Sequence, residues 1–460
     1  MKSIIIRSGM SPLDTFDAPH IIKNNSIGGN VGNLVYAYSI YRTLMTEDTT
    51  ITPDYYNYEP SRADEINEKY DCYVIPLADA FRKEFIPSLR KYTKLIKKLK
   101  IPVIVIGVGL RAPFEPKLDE GFPFDEDVKE FVKAVLEKSS MIGLRGEITS
   151  KYLTKLGFRE GIDHTVIGCP SMYTFGRELT IRETNITKES KVCINSSRLS
   201  PKKVLDFIHR STEEFPNYYF IPQWMKELRL TYAGAPSIAE YSKNYPVKLT
   251  DPAYKENRVR FFLNVPTWME FMKDADLSFG ARLHGNIVAT ISGTPSIIIP
   301  KDARMRELTD YHGLTHILPH EINEKTKLSD FIDKVDFQSP TKKQQRNFDN
   351  FIDFLNKNNL NHIYKESYNP TTVPLDEKLK QVEFKQPVTP ISGCSPEEMA
   401  KRLENYYAIE REKKEMLEEN LKNKLKQKNK RIQYLEGTLN RKSVRTTLKL
   451  ADFVATMQKK

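Results

Sequence analysis

Short apolar runs alternate with amphipathic stretches along most of the chain. "SIIIRS", "DCYVIPLADA", "IPVIVIGVGL", "SMIGLR" and "HTVIGCPSM" carry the continuous hydrophobicity of strands buried on both faces. The segments between them, such as Phe85 to Lys100 and Phe124 to Lys138, have helical periodicity. A second series begins at "KVCINSS" and continues through "YYFIPQW", "RVRFFLN", "ADLSFG" and "PSIIIP". Strand-helix alternation of this kind predicts open parallel sheets. The fold class expected is α/β, two doubly wound, Rossmann-like domains facing a cleft. The N-terminal one spans residues 1–175 and the C-terminal one 190–325, with the polar stretch "GRELTIRETNITKES" linking them.

Beyond residue 325 the pattern changes. Residues 326–360 are expected to hold a helix docking on the body. Residues 361–395 contain scattered prolines and little apolar period, the signature of an extended linker. From Pro396 a proline-free charged stretch follows, with Pro at the first helical position. Leu403, Leu417, Leu421, Leu425, Ile432, Leu435 and Leu439 fall near a heptad stripe, so residues 396–440 read as a coiled coil and the chain as a homo-oligomer. A single solvated helix is the alternative. Residues 441–460 form a basic amphipathic tail, with Val444, Leu448, Phe453 and Met457 apolar and Arg441, Lys442, Arg445, Lys449, Lys459 and Lys460 cationic. Such a tail suits peripheral contact with an anionic membrane surface.

Composition narrows the functional classes. Of the net charge of +11, +7 falls in the tail, where seventeen Lys and Arg oppose ten Asp and Glu from Pro396 to Lys460. The body needs no nucleic acid to explain its charge. Cys72, Cys169, Cys193 and Cys394 are widely spaced, which indicates neither a disulfide framework nor a metal site. No apolar run reaches the length of a membrane span, and the opening "MKSIIIRSGM" lacks a signal-peptide core. A cytoplasmic protein is expected, with contact at the inner membrane face through the tail.

The chemistry gathers at strand ends. In "DLSFGARLHGNIVATISG", Arg282 and His284 sit where a strand meets a helix. Free backbone N–H groups and the positive dipole end favour an anion there. Arg304 and Arg306 follow "PSIIIP", and Arg145 marks another strand-to-helix turn in "SSMIGLRGEITSKYL". Arginine suits planar, bidentate capture of carboxylate or phosphate. Taken singly, each is more often an ordinary surface ion-pair partner; three strand-end arginines with a histidine in one chain favour an anion site. The loop "NNSIGGNVGN" permits close backbone approach to a ligand without matching a nucleotide motif, and Arg111 stands in the strand-end loop "GVGLRAP".

The ordered set "GGNVGN", "VIGVGLR", "IGLRGEITSKYLTKLGF", "VIGCPSM" and "GARLHGNIVATISGTPSIIIPKD" resembles the polysaccharide pyruvyl transferase family over roughly residues 20–320. The resemblance implies a glycosyltransferase-B-like fold with its site in the interdomain cleft. It implies transfer of the enolpyruvyl group of phosphoenolpyruvate onto a sugar of a surface polysaccharide or its lipid-linked precursor, forming a ketal. No cofactor beyond that donor, and no metal, is implied. His284 and Arg282 become the catalytic candidates, with His284 as general acid. Arg145, Arg304, Arg306, Gly29, Asn30, Asn33 and Arg111 become the substrate-binding candidates. Relatives commonly carry Asp where Asn33 stands, so no acid-base role is read there. Glu147, Asp302 and Asp276 remain open as the base. Two other functions stay open: a nucleotide-sugar-dependent glycosyltransferase, and a non-catalytic glycan-assembly protein.

Overall fold

Among the described residues ten strands form, nearly all from the apolar runs: β1 Lys2–Ile6, β2 Thr49–Pro53, β3 Cys72–Pro76, β4 Val103–Ile106, β5 Ile142–Leu144, β6 His164–Val166, β7 Val192–Ile194, β8 Tyr218–Phe220, β9 Leu277–Gly280 and β10 Ser296–Ile298. The computed structural model describes residues 1–238 and 244–457. Every ladder is parallel. The first sheet runs β2-β1-β3-β4, and the bond from Gly107 N–H to Gly143 O carries it on to the β5–β6 pair. The second runs β10-β9-β7-β8. Helices cover the faces, so Ile5, Tyr73, Val103 and Val105 in the first half and Val192, Leu277, Phe279 and Ile297 in the second are fully buried. Parallel strands align their carboxyl ends at one edge of each sheet. The loops leaving β3, β4, β7, β8, β9 and β10 meet there. This is an α/β protein of two doubly wound halves facing a cleft.

Two strand assignments differ from the sequence reading. "TTITP" forms β2 at the sheet edge, where a threonine-rich strand needs no continuous apolar run. "RVRFFLN" is no strand; Val259 and Phe261 make one bridge each, to Phe220 and Val388.

The two halves are joined by specific contacts. The helix Ala303–His312 belongs to the second half but packs on the first: Glu307 accepts from Thr149 N–H at 2.9 Å and His312 Nε2 from Cys169 N–H at 2.7 Å. Region 326–360 holds two helices, Ser329–Ile332 and Thr341–Lys357, with Pro340 between them. Asn358 at the second one's end accepts from Ser140 N–H at 3.1 Å.

Segment 361–395 is not a free tether. Ile363 N–H donates to Thr43 O, Leu375 is fully buried, Asp376 pairs with Arg42 at 2.7 Å, and Val388 bonds to Phe261. Its prolines shape a strap over the body. A chain ending at Asn358 is therefore expected to melt below one ending at Met399, since Leu375 alone contributes about 1.5–3 kcal/mol on burial. Equal melting temperatures of the two would remove the strap from the fold.

Contacts divide the chain into two units, Met1–Met399 and Ala400–Lys460. The helix Pro396–Leu439 carries Leu417, Leu421, Leu425, Ile432, Leu435 and Leu439 exposed along its length. The helix Lys442–Met457 follows; Lys459 and Lys460 lie outside the described residues. Among the described residues no helix is long and apolar enough to cross a membrane.

Candidate active site

The strand-end loops enclose a cleft of about 690 Å³. One wall begins at β9. Its last residues turn into the helix Leu283–Ile291, with Arg282 at the N-cap and His284 in the first turn. A buried polar chain fixes this turn. Asn195 Nδ2 donates to Ser278 Oγ, Ser278 Oγ to Asn286 Oδ1, and Asn286 Nδ2 to the carbonyls of Gly280 and Arg282 at 3.1 and 2.8 Å. Gly285 is part of the device: a Cβ there would lie 1.8 Å from Asn195 Oδ1. Gly285→Ala is expected to cost about 1–3 kcal/mol, as overpacking of an ordered core does. Denaturant unfolding reads this, and an unchanged midpoint would contradict it.

Arg282 is held in one pose. Its guanidinium stacks 4.0 Å from the Trp224 ring centroid, its Nε donates to Ser196 O at 3.3 Å, and it lies 3.7 Å from the Glu227 carboxylate. Glu227 is fully buried and also accepts from Gln223 and Trp224 N–H groups and the Tyr245 hydroxyl. Arg304 stands 3.6 Å from Asp79 and 3.9 Å from Asp302. Asp79 in turn pairs with Arg82 at 2.6 Å. Burial raises the Asp79 carboxyl, but Arg304, Arg82 and Arg111 outweigh it and hold it below its usual range.

Lys301 enters the cleft beside them and donates to Ser197 Oγ. Burial, then Arg282, Arg304 and Arg111, push its ammonium down to about 7, against the opposing pull of Asp302. His284 is almost fully buried, and its Nε2 has no hydrogen-bond partner. Burial, Arg145, Arg304 and Arg282 drive its imidazole well below the ordinary 6.5, with Asp79 opposing. The imidazole of the free protein is therefore neutral at neutral pH.

The opposite wall comes from the first half. Gly29 and Asn30 line the cleft, and the loop is stitched to the second half through Val31 N–H to Gln223 O and Met225 N–H to Gly29 O. Gly32 lies against His284, where a Cβ would approach Nδ1 to 2.8 Å. Asn33 also lines the cleft. Its Nδ2 donates to the carbonyls of Ile27 and Gly28 at 3.0 and 3.3 Å, bonds a carboxylate cannot make. Arg111 lines it as an exposed side chain.

Two candidates stand elsewhere. Arg145 is fully buried beneath the cleft, with Nε donating to Gly107 O at 2.8 Å and its guanidinium 4.7 Å from the Tyr36 ring. It reaches the site through its field on His284 rather than by lining the cleft. Arg306 turns away to Phe114 and Glu115. Helical positions two apart point in different directions, so Arg304 and Arg306 cannot share one wall. Of the possible bases, Glu147 is exposed outside the cleft, and Asp276 accepts from Lys191 N–H at the start of β9, the far end from the site. Asp302 lines the cleft but caps its helix, accepting from Met305 N–H at 2.9 Å. Lys301, Asp79, Arg82 and Trp224 were not singled out in the sequence. Their shared signal is position: each lies just past a strand's carboxyl end, where open α/β sheets bind ligands. Among the described residues no group of His, Cys, Asp and Glu is arranged to hold a metal ion.

Two parallel-stranded halves with facing strand-end loops define a glycosyltransferase-B-like fold. The chain belongs to the polysaccharide pyruvyl transferase family, whose model matches residues 30–302. None of the curated proteins matches it in sequence. Solved structures are similar only loosely. An uncharacterised protein of Klebsiella pneumoniae is 12% identical, with a TM-score of 0.36 over 67% of this chain and 88% of that one. The UDP-GlcNAc 2-epimerase of Methanocaldococcus jannaschii is 15% identical, with a TM-score of 0.38 over 77% and 99%. That of Neisseria meningitidis is 12% identical, with a TM-score of 0.37 over 83% and 100%.

Proposed function

We propose that this transferase takes the enolpyruvyl group from phosphoenolpyruvate and builds it as a ketal on a sugar of a surface polysaccharide or its lipid-linked precursor. The observation that carries this reading is the charge of the cleft. Six cations, Arg82, Lys83, Arg111, Arg282, Lys301 and Arg304, face three carboxylates, Asp79, Glu84 and Asp302. Lys301 is only partly charged in the free cleft, so the excess is two to three. A donor with one carboxylate and one phosphate brings close to three negative charges and would complete the charging of Lys301. Arg282 and Arg304 supply forked donors for these groups, and Lys301 a point charge.

A proton from His284 goes to the vinyl methylene, leaving an oxocarbenium-like carbon. A sugar hydroxyl forms a C–O bond to that carbon and gives up its proton. The bond to phosphate then breaks, and a second hydroxyl closes the ketal with loss of a second proton. One of the two protons restores His284 and the other leaves with phosphate. His284 is neutral in the free protein, so the donor's negative charge must first lift its pKa; protonation and donor binding are coupled.

The sign of that coupling is testable. Lys301 at about 7 and His284 well below 6.5 are both cationic to a smaller extent in the free cleft than beside an anion. Donor binding should therefore take up protons, and affinity should fall as pH rises past about 7, where Lys301 of the free cleft gives up its proton, with the His284 contribution already falling at lower pH. Titration calorimetry with phosphoenolpyruvate in buffers of different ionisation enthalpy measures both. Binding without proton uptake, at constant affinity, would contradict the coupling. A cleft that took a nucleoside diphosphate and refused phosphoenolpyruvate would overturn the donor assignment.

A further inference from the structure

We infer that the helix Lys442–Met457 is a docking surface for an anionic lipid membrane, lying in the interface plane. The inference is independent of the donor chemistry. Leu448, Leu450, Phe453, Val454 and Met457 on this helix are all large, apolar and between 48% and 66% exposed. At about 100° per residue, Lys442, Arg445 and Lys449 fall within a sector about 60° wide. The five large apolar side chains, together with Val444, Ala451 and Ala455, spread over about 220° of the remainder, interrupted only by the small hydroxyl residues Ser443, Thr446 and Thr447.

That division decides the occupant. A coiled-coil seam needs a narrow stripe, and a helix docked on a globular core needs little more than a third of its circumference. An apolar arc wider than half the helix has no use for a single partner helix. It does suit sinking into the acyl boundary, with the cationic sector held at the headgroups. The charge is complementary: three cations and one acid, Asp452, occupy the polar side. With 16 residues the helix is about 24 Å long, and no helix among the described residues is long and apolar enough to span a bilayer, so it lies along the surface. A lipid-linked acceptor would then share a surface with the enzyme.

The test uses the full chain and vesicles of phosphatidylcholine, with or without phosphatidylglycerol. The protein is expected to sediment with the anionic vesicles, to be released by salt, and to ignore phosphatidylcholine alone. Leu448→Glu with Phe453→Glu should abolish sedimentation. Lys442→Gln, Arg445→Gln and Lys449→Gln together should lower partitioning on the order of 100-fold, at about 1 kcal/mol per cation near an anionic surface. Phe453→Trp reports directly, through a blue-shifted difference spectrum on adding anionic vesicles. Failure of the full chain to sediment, unaltered sedimentation of the glutamate variant, or a difference spectrum of the Phe453→Trp variant blind to lipid would each overturn the proposal. So would glutamate variants that lower the mass in light scattering while lipid binding is absent throughout, which would make the helix a self-association surface, or capture of an acidic protein with no affinity for vesicles.

Discussion

His284→Ala is expected to lower turnover about 10²–10⁴-fold, the range for loss of a positioned general acid, while donor affinity changes only a few-fold. The two effects separate because His284 is neutral in the free protein and contributes little to the charge that attracts the donor. On the proposed reading that attraction comes from Arg282, Arg304, Arg111 and Lys301, which line the cleft. The imidazole lines the cleft in the first turn of its helix with Nε2 buried and without a hydrogen-bond partner, so no protein group competes with a bound donor for a proton carried there. Removing the ring leaves the cations in place but no acid to deliver to the methylene. Single-turnover phosphate release from the variant, compared with its donor titration, tests the separation. Near-normal turnover would take the acid role from His284, and a collapse of donor affinity would make it a binding residue.

Arg282→Ala is expected to weaken donor binding by about 2–5 kcal/mol, as truncating a buried charge partner does. Part of this is the lost fork to the donor. Part is rearrangement of the wall, because Trp224 loses the guanidinium stacked on it and Glu227 loses its nearby counter-charge. Glu227 keeps three hydrogen bonds, which should hold the fold together. Arg282→Lys separates charge from shape. Lysine restores a cation but neither the planar fork nor the flat stacking surface, so about 1–3 kcal/mol of donor affinity should remain lost. Calorimetric titration of both variants decides it; wild-type affinity in the lysine variant would show that charge alone is used.

The parts of this molecule that were legible in the sequence are those where a local pattern reports a local environment. Strands such as Val103–Ile106 are buried on both faces, so their runs are continuously apolar. Edge strand Thr49–Pro53 has one half-solvated side and shows no such run. "RVRFFLN" is buried without being laddered, which hydrophobicity does not distinguish from a strand. The strap at 361–395 has the proline content of a linker, and its buried Leu375 depends on contacts more than three hundred residues away, such as Asp376 with Arg42.

The site divides the same way. Arg282, His284, Arg304 and Arg111 follow strand ends and do line the cleft. Arg145 has the same local signature but lies a layer deeper, because Gly107 O and the Tyr36 ring hold it below the floor. Depth beneath a surface has no counterpart in spacing along the chain. Lys301, Asp79 and Trp224 belong to loops with no motif, and only the convergence of the two halves brings them together.

The most direct measurement is incubation of the full chain with isotopically labelled phosphoenolpyruvate and a panel of aryl and lipid-linked glycosides, following inorganic phosphate release and product mass. The expected result is stoichiometric phosphate with transfer of the labelled three-carbon unit to one of the glycosides as a ketal, lost in the His284→Ala variant. Phosphoenolpyruvate returned intact across the panel, with a sugar transferred from a nucleotide-sugar donor instead, would contradict it.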